Sequence, residues 1–138
     1  MNWNSKTIET YDESAEALAG YFKGIGPRVY DIELALKLAN MITSARAVEI
    51  GCGDGRDATE IIKRVEWYEG FDPSEGLLKI ARQKLPQASF VRADALIYNY
   101  PSNLDVIYAF ASLLHVNKGD LKTVFEKAAK ALRKGGIF

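Results

Sequence analysis

Apolar and polar positions in this chain recur with two different periods. Between residues 5 and 23, Tyr11, Ala15, Leu18, Ala19 and Phe22 fall at helical steps, which predicts an amphipathic helix. The stretch GIGP at 24–27 breaks it, and Pro27 is placed to open a second helix. That second pattern buries Ile32, Ala35, Leu36, Ala39 and Ile42 and ends near Thr43. Short apolar runs of strand length follow at Ala47–Ile50, Trp67–Phe71, Ser89–Arg92 and Leu104–Phe110. Helical patterns at 56–65, 75–84 and 118–133 alternate with them. The last places Leu121, Val124, Phe125, Ala128, Ala129 and Leu132 on one face. Lys130, Arg133 and Lys134 suit the negative pole of its dipole, and Gly135–Gly136 stop it.

Strands alternating with helices imply an α/β fold, a Rossmann-like doubly wound and mainly parallel sheet with helices on both faces. The expected strand order is 3-2-1-4-5. The unbroken apolar run VIYAF at 106–110 fits an inner strand. GGIF at 135–138 looks like the start of a fifth strand, where the chain stops. Sheets of this kind normally continue. The expectation is therefore a C-terminally truncated chain with later strands missing, or an exposed edge covered by a partner such as a second copy.

Composition narrows the function. The chain has 138 residues, 48% of them hydrophobic, enough for one cored domain. Eighteen Lys and Arg balance eighteen Asp and Glu, so no positive field attracts nucleic acid or an anionic membrane. No apolar stretch approaches the ~20 residues that span a bilayer, and the first residues lack a signal-peptide pattern. The single cysteine, Cys52, has no disulfide partner and no neighbours at metal-ligand spacing. A cytoplasmic protein is expected.

The candidate chemistry begins at AVEIGCGDGRDA, residues 47–58, where Glu49 interrupts an apolar run and Gly51, Gly53 and Gly55 follow at alternate positions. This turn lies at the carboxyl end of a parallel strand, where open α/β sheets bind ligands. Its glycines permit positive φ and let a ligand approach bare backbone. The spacing departs from the dinucleotide pattern G-x-G-x-x-G, since Arg56 stands where the third glycine would be. A buried Glu49 needs compensation by a cationic ligand or nearby N–H groups.

Acids recur at the next two strand ends. Asp72 follows Gly51 at close to the ~20-residue spacing of an acid that holds a nucleoside ribose. With Pro73 at the first helical position and Glu75 beyond, it also reads as a capping-box start. Asp94, in FVRADAL, is the third acid along the same rim. Three carboxylates repel a pyrophosphate and attract a cationic nucleoside.

These segments resemble the class I S-adenosylmethionine-dependent methyltransferases. AVEIGCGDG is similar to their first motif, GFDPSEGLLKIAR to the second and FVRADAL to the third. LDVIYAFASLLHV with LKTVFEKAAKALRKGG resembles the fourth strand and the helix after it, and TIETYDESAEALAGYF the N-terminal lid helix. The resemblance implies lid or cap helices in residues 1–43 and an S-adenosylmethionine-binding domain in residues 44–138. It further implies that Glu49 and the backbone of Gly51, Cys52 and Gly53 hold the methionine part of S-adenosyl-L-methionine. Asp72 would take the ribose hydroxyls, with Pro73 on the adenine, Asp94 at its amino group and Ala95 at its edge. Phe110 would line the methyl-transfer side, and Tyr11 would close over the site.

Methyl transfer from a sulfonium rests on alignment, so it needs no Ser/His/Asp cluster. A base is needed only if the acceptor arrives protonated, and His115, the single histidine, is the candidate; its other reading is a packing histidine. Tyr11 also suits core packing, Cys52 a small filler, and Arg28 and Arg56 surface charges able to contact a carboxylate. The sequence AFASLL at 109–114 differs from the Asn-Pro-Pro-Tyr type of nucleic-acid amino methyltransferases, which leaves a small-molecule acceptor leading. The rival readings are a cofactor-binding or regulatory module without independent catalysis and an NAD(P)-dependent oxidoreductase domain.

Overall fold

The computed structural model describes residues 3–138, so the first two residues of the expected lid region lie outside it. Five strands form one fully parallel sheet: β1 (Arg46–Ile50), β2 (Trp67–Asp72), β3 (Ser89–Arg92), β4 (Leu104–Tyr108) and β5 (Leu132–Ile137). Their order is β3-β2-β1-β4-β5, as expected. Parallel neighbours need crossovers, and short helices supply them: α4 (Ala58–Ile61), α5 (Glu75–Lys84) and α6 (Lys118–Ala131). Before the sheet come α1 (Trp3–Glu13), α2 (Ala15–Lys23) and α3 (Val29–Leu38).

Alternation along each strand divides the core into two layers. Ala47, Tyr68, Phe90, Val106 and Tyr108 face α3, α4 and α5, meeting Ile32, Leu36, Ile61, Leu78 and Ala81. Val48, Ile50, Phe71 and Ile107 face the other way, onto Val124, Ala128 and Ala131 of α6 and onto Tyr98. All five β4 residues are buried, as an inner strand requires. The strand order reverses between β1 and β4, which opens a crevice beyond their carboxyl ends.

Several boundaries differ from the expectation. The first helix bends at Ser14 into α1 and α2, where Asp12 and Ala15 lie against Gly76. Pro27 precedes the helix it was expected to open, since Arg28 is the N-cap of α3. That helix ends at Leu38 because Asn40 adopts φ 56° and Met41 N–H reaches back to the Leu36 carbonyl, a Schellman closure. The chain turns outward there, leaving Ile42 93% exposed instead of buried. The pattern at 56–65 yields only the four residues of α4, because the glycine turn occupies the stretch before it. In α6 the buried stripe is Val124, Ala128 and Ala131, and Phe125 is exposed. Gly135 and Gly136 do not stop this helix; Leu132 passes straight into β5, and both glycines lie in that strand.

Candidate functional site

The turn after β1 is built from left-handed glycines, with φ 68° at Gly51, 53° at Gly53 and 82° at Gly55. It is pinned to the end of β2, since the Gly51 and Cys52 N–H groups both donate to the Phe71 carbonyl, at 2.8 and 3.1 Å. A side chain at Gly51 would place its Cβ 2.3 Å from that of Ser112. The glycine therefore lets the segment after β4 close on the turn. Between these pieces lies a cavity of about 280 Å³. Every sequence-predicted residue lines it: Tyr11, Glu49, Gly51, Cys52, Gly53, Asp72, Pro73, Asp94, Ala95, Phe110 and His115.

The acids differ in how they are compensated. Glu49 is 2% exposed and accepts the Tyr68 hydroxyl at 2.6 Å. Burial pushes its carboxyl up to about 8, against the Tyr68 hydrogen bond, and the charges of Asp57 and Asp72 add to the rise. Asp72 accepts backbone N–H groups on both oxygens, from Gly53 at 3.0 Å and Ser74 at 2.9 Å. Burial still raises it to about 6. The cap of α5 is not Asp72, because the Ser74 hydroxyl accepts from the Leu77 N–H at 3.2 Å. The N-cap therefore lies two residues on, at Ser74, with Leu77 and not a Glu at N3, so the capping-box reading does not hold and Asp72 keeps lone pairs for a ligand. Asp94 accepts from Leu96 N–H at 2.8 Å and Ile97 N–H at 3.1 Å, which fixes the turn after β3 beside the cavity.

A cationic region lies beyond the glycine turn. Asp57, 4% exposed, accepts the Arg28 backbone N–H at 2.8 Å, Arg28 Nη1 at 3.0 Å and Arg56 Nη2 at 3.1 Å. The two arginines read from sequence as surface charges thus line the cavity and share one buried carboxylate. Arg28 stacks on Phe110 with 5.2 Å to the ring centre, and Arg56 on Phe22 with 5.5 Å. Two guanidiniums against one carboxylate leave a positive charge, and Arg56 Nε is buried without a hydrogen-bond partner.

At the mouth, the Tyr11 hydroxyl and His115 Nε2 share a hydrogen bond of 2.9 Å, with the rings edge to face. His115 sits in a single 3-10 turn, Leu113–His115. Burial lowers its pKa, favouring the neutral imidazole, and raises that of the Tyr11 phenol. Cys52 is 5% exposed and burial pushes its thiol well up, which leaves it a small packed thiol.

Sequence reasoning missed Asp57, Tyr68 and Ser112. Asp57 stood beside Arg56 in GDGRDA, where an acid at a helix start reads as an ordinary cap. Tyr68 looked like one more apolar strand residue. Ser112 gave no signal, yet its buried Oγ lacks a partner and lies beside the glycine turn.

The donor set suits S-adenosyl-L-methionine. Glu49 and Asp72 are acids with capacity to accept from an ammonium and from hydroxyls, and the arginine pair can receive a carboxylate. The apolar lining includes Ile50, Phe71, Leu77 and Ala95.

Comparison with known proteins shows the family. Residues 47–136 match a family model described as a methyltransferase domain. Trans-aconitate 2-methyltransferase of Afipia carboxidovorans is 32% identical over 100 residues, 70% of this chain and 38% of that protein. Its counterpart in Rhizobium etli is 31% identical over 67% of this chain and 36% of its own length. The chain thus spans well under half the length of the curated relatives it matches. Among solved structures, the DhpI–SAH complex superposes with a TM-score of 0.80 at 17% identity, covering 99% of this chain and 67% of that one. Such identity speaks to the fold alone. The motifs in their expected order, the parallel sheet and the family match place this chain among the methyltransferase domains of the class I S-adenosylmethionine-dependent family.

Proposed function

We propose that this chain binds S-adenosyl-L-methionine and transfers its methyl group to a small-molecule acceptor. One observation carries the reading: two buried acids at adjacent strand ends, Glu49 and Asp72, flank a left-handed glycine turn and face one cavity. That pairing fits an ammonium on one side and ribose hydroxyls on the other.

In this reading Glu49 and the Gly51–Gly53 backbone hold the methionine part, whose carboxylate meets Arg28 and Arg56. Asp72 accepts the ribose hydroxyls, Pro73 packs on the adenine, and Asp94 and Ala95 border its edge. Residues 1–43 provide lid and cap helices and residues 44–138 the cofactor-binding domain. S-adenosyl-L-methionine supplies, when bound, a methyl group already activated on sulfonium. The chain's own contribution is alignment and exclusion of water, worth up to ~7–11 kcal/mol in favourable reactions. Phe110 lines the methyl-transfer side and Tyr11 covers it. His115, held neutral by burial, takes a proton from an acceptor that arrives protonated.

The relatives' described substrate makes a small carboxylic acid the first acceptor to assay. The balanced charge speaks against a nucleic acid. No helix among the described residues is long and apolar enough to cross a membrane, and we place the protein in the cytoplasm. A second copy pairing along β5 would cover that edge of the sheet.

Calorimetric titration tests the cofactor reading. S-adenosylhomocysteine is expected to bind and NADH not to; NADH binding alone would move the chain to the oxidoreductases. A second reading, a cofactor-binding module without independent catalysis, is favoured by the small share of its relatives' length that the chain spans. Methyl-transfer turnover against a panel of carboxylic acids separates the two, since turnover by this chain excludes the second.

A further inference from the structure

The cover of the cavity is α1, which contributes Thr7, Ile8 and Tyr11 to the lining. Its position depends on contacts with α5, against which α1 and α2 pack. The polar contact is specific. Asp12 Oδ1 accepts the Ser74 hydroxyl at 2.6 Å and the Gly76 N–H at 2.8 Å. Burial would raise the Asp12 carboxyl, but these two bonds and the charge of Arg92 hold it below the usual range, so it is anionic at neutral pH. Gly76 makes the approach feasible, since a Cβ there would lie 2.9 Å from the Asp12 carbonyl oxygen and 3.0 Å from Ala15 Cβ.

Ser74 joins this contact to the cavity. Its hydroxyl donates to Asp12, while its backbone N–H donates to Asp72. Lid acid and rim acid therefore hang on one residue, and the charge of Asp12 raises the pKa of Asp72. A ligand that engages Asp72 fixes the carboxylate that holds the Ser74 N–H, and so orders the residue whose hydroxyl holds Asp12; coupling of this kind is reciprocal.

We propose that Asp12 is a latch residue that holds α1 closed over the cavity and, through Ser74, makes lid closure and occupation of Asp72 cooperative. Asp12 is a positioning residue: it acts by keeping Tyr11 against His115, not by touching the ligand. The proposal rests on the cofactor reading only for what occupies Asp72.

The test compares Asp12→Ala, Asp12→Asn and Gly76→Ala with the parent chain. The measurements are stopped-flow dissociation of S-adenosylhomocysteine and hydrogen exchange of residues 5–13, with and without it. Losing two bonds to an anionic acceptor predicts dissociation of Asp12→Ala faster by roughly ten- to hundredfold. Exchange in α1 rises and the ligand no longer suppresses it. Asp12→Asn, which keeps an acceptor oxygen, falls between, and Gly76→Ala, which keeps Asp12 but crowds it, follows Asp12→Ala. Unchanged dissociation and unchanged exchange in Asp12→Ala overturn the latch. If the parent chain binds no S-adenosylhomocysteine, the cofactor reading fails, while exchange in the ligand-free variants still decides whether Asp12 holds α1.

Discussion

Asp105 at the amino end of the sheet and Glu49 at the carboxyl end are acids of nearly equal burial, 6% and 2% exposed. Asp105 accepts the Arg46 N–H at 2.8 Å on one oxygen and the Arg133 guanidinium on the other. Glu49 receives a neutral hydroxyl from Tyr68, and among the described residues no cationic side chain pairs with it. An acid whose charge is answered inside the fold ties strands β1, β4 and β5 together. In one without such a partner, burial is met by protonation, with only the Tyr68 hydroxyl and the charge of Arg56 favouring the ionised form until a cation arrives. The contrast separates a structural carboxylate from a binding one without reference to motif.

The largest effect that tests this contrast is on stability. Asp105→Ala leaves Arg133 without its carboxylate and the Arg46 N–H without its acceptor. Breaking such a pair costs about 3 kcal/mol, at the low end of the range for buried pairs because the Arg133 side chain keeps 28% exposure. Urea unfolding should show this loss, while calorimetry shows S-adenosylhomocysteine affinity unchanged. Glu49→Gln should do the reverse. Its amide oxygen still accepts from Tyr68, so the urea midpoint holds or rises. Affinity falls about tenfold or more, the worth of a charged hydrogen bond at ~1.5–3 kcal/mol. A Glu49→Gln variant that unfolds early yet binds normally would reverse the two roles.

The acidity of Glu49 extends the contrast to pH. Its carboxyl rises from an ordinary 4.5 to about 8 on folding. Between those values the folded state holds a proton that the unfolded state has lost, so stability falls as pH rises through that window and levels off above it. Binding of a cation to the ionised form runs the other way. Affinity for S-adenosylhomocysteine should climb roughly fivefold between pH 7 and pH 8, as the ionised fraction grows. Asp72, at about 6, is already ionised over that range. The Glu49→Gln variant should lose the affinity slope and the stability slope above about pH 6, while Asp72, raised from 3.8 to about 6, keeps a slope below it. A wild-type affinity flat between pH 7 and pH 8 would mean that Glu49 is ionised in the free protein or that its charge does not contribute to binding.

How much of this was legible in the sequence follows the range of the forces involved. Strands β2, β3 and β4 and helix α5 were readable nearly to the residue, because short apolar runs and helical spacing define them. The bend at Ser14 and the turn at Asn40 were not, since one follows packing against Gly76 and the other a left-handed residue without a glycine to announce it. Glu49, Asp72 and the glycine turn announced themselves by breaking the apolar pattern. Their partners did not. Tyr68 lies 19 residues from Glu49, Arg28 lies 29 from Asp57, and Asp12 lies 62 from Ser74, so only the assembled sheet brings them together.

The smallest effect is the most discriminating, because it alters Glu49 without touching it. Gly70 makes room for the Tyr68 ring: a Cβ there would lie 2.3 Å from the Tyr68 hydroxyl oxygen and 2.8 Å from Cys52 Cβ. That space lets the hydroxyl reach Glu49 and favour its ionised form. Tyr68→Phe fills the same volume and removes the donor, at a cost of about 1 kcal/mol in unfolding free energy. Burial then acts on Glu49 with less opposition, so its pKa climbs further. The rise in S-adenosylhomocysteine affinity should move to higher pH, leaving weaker binding at pH 7 and convergence with the parent chain in more alkaline buffer. A shift to lower pH would mean that the hydroxyl favours the protonated acid, and the open charge at this end of the sheet would have to be sought in Asp72 instead.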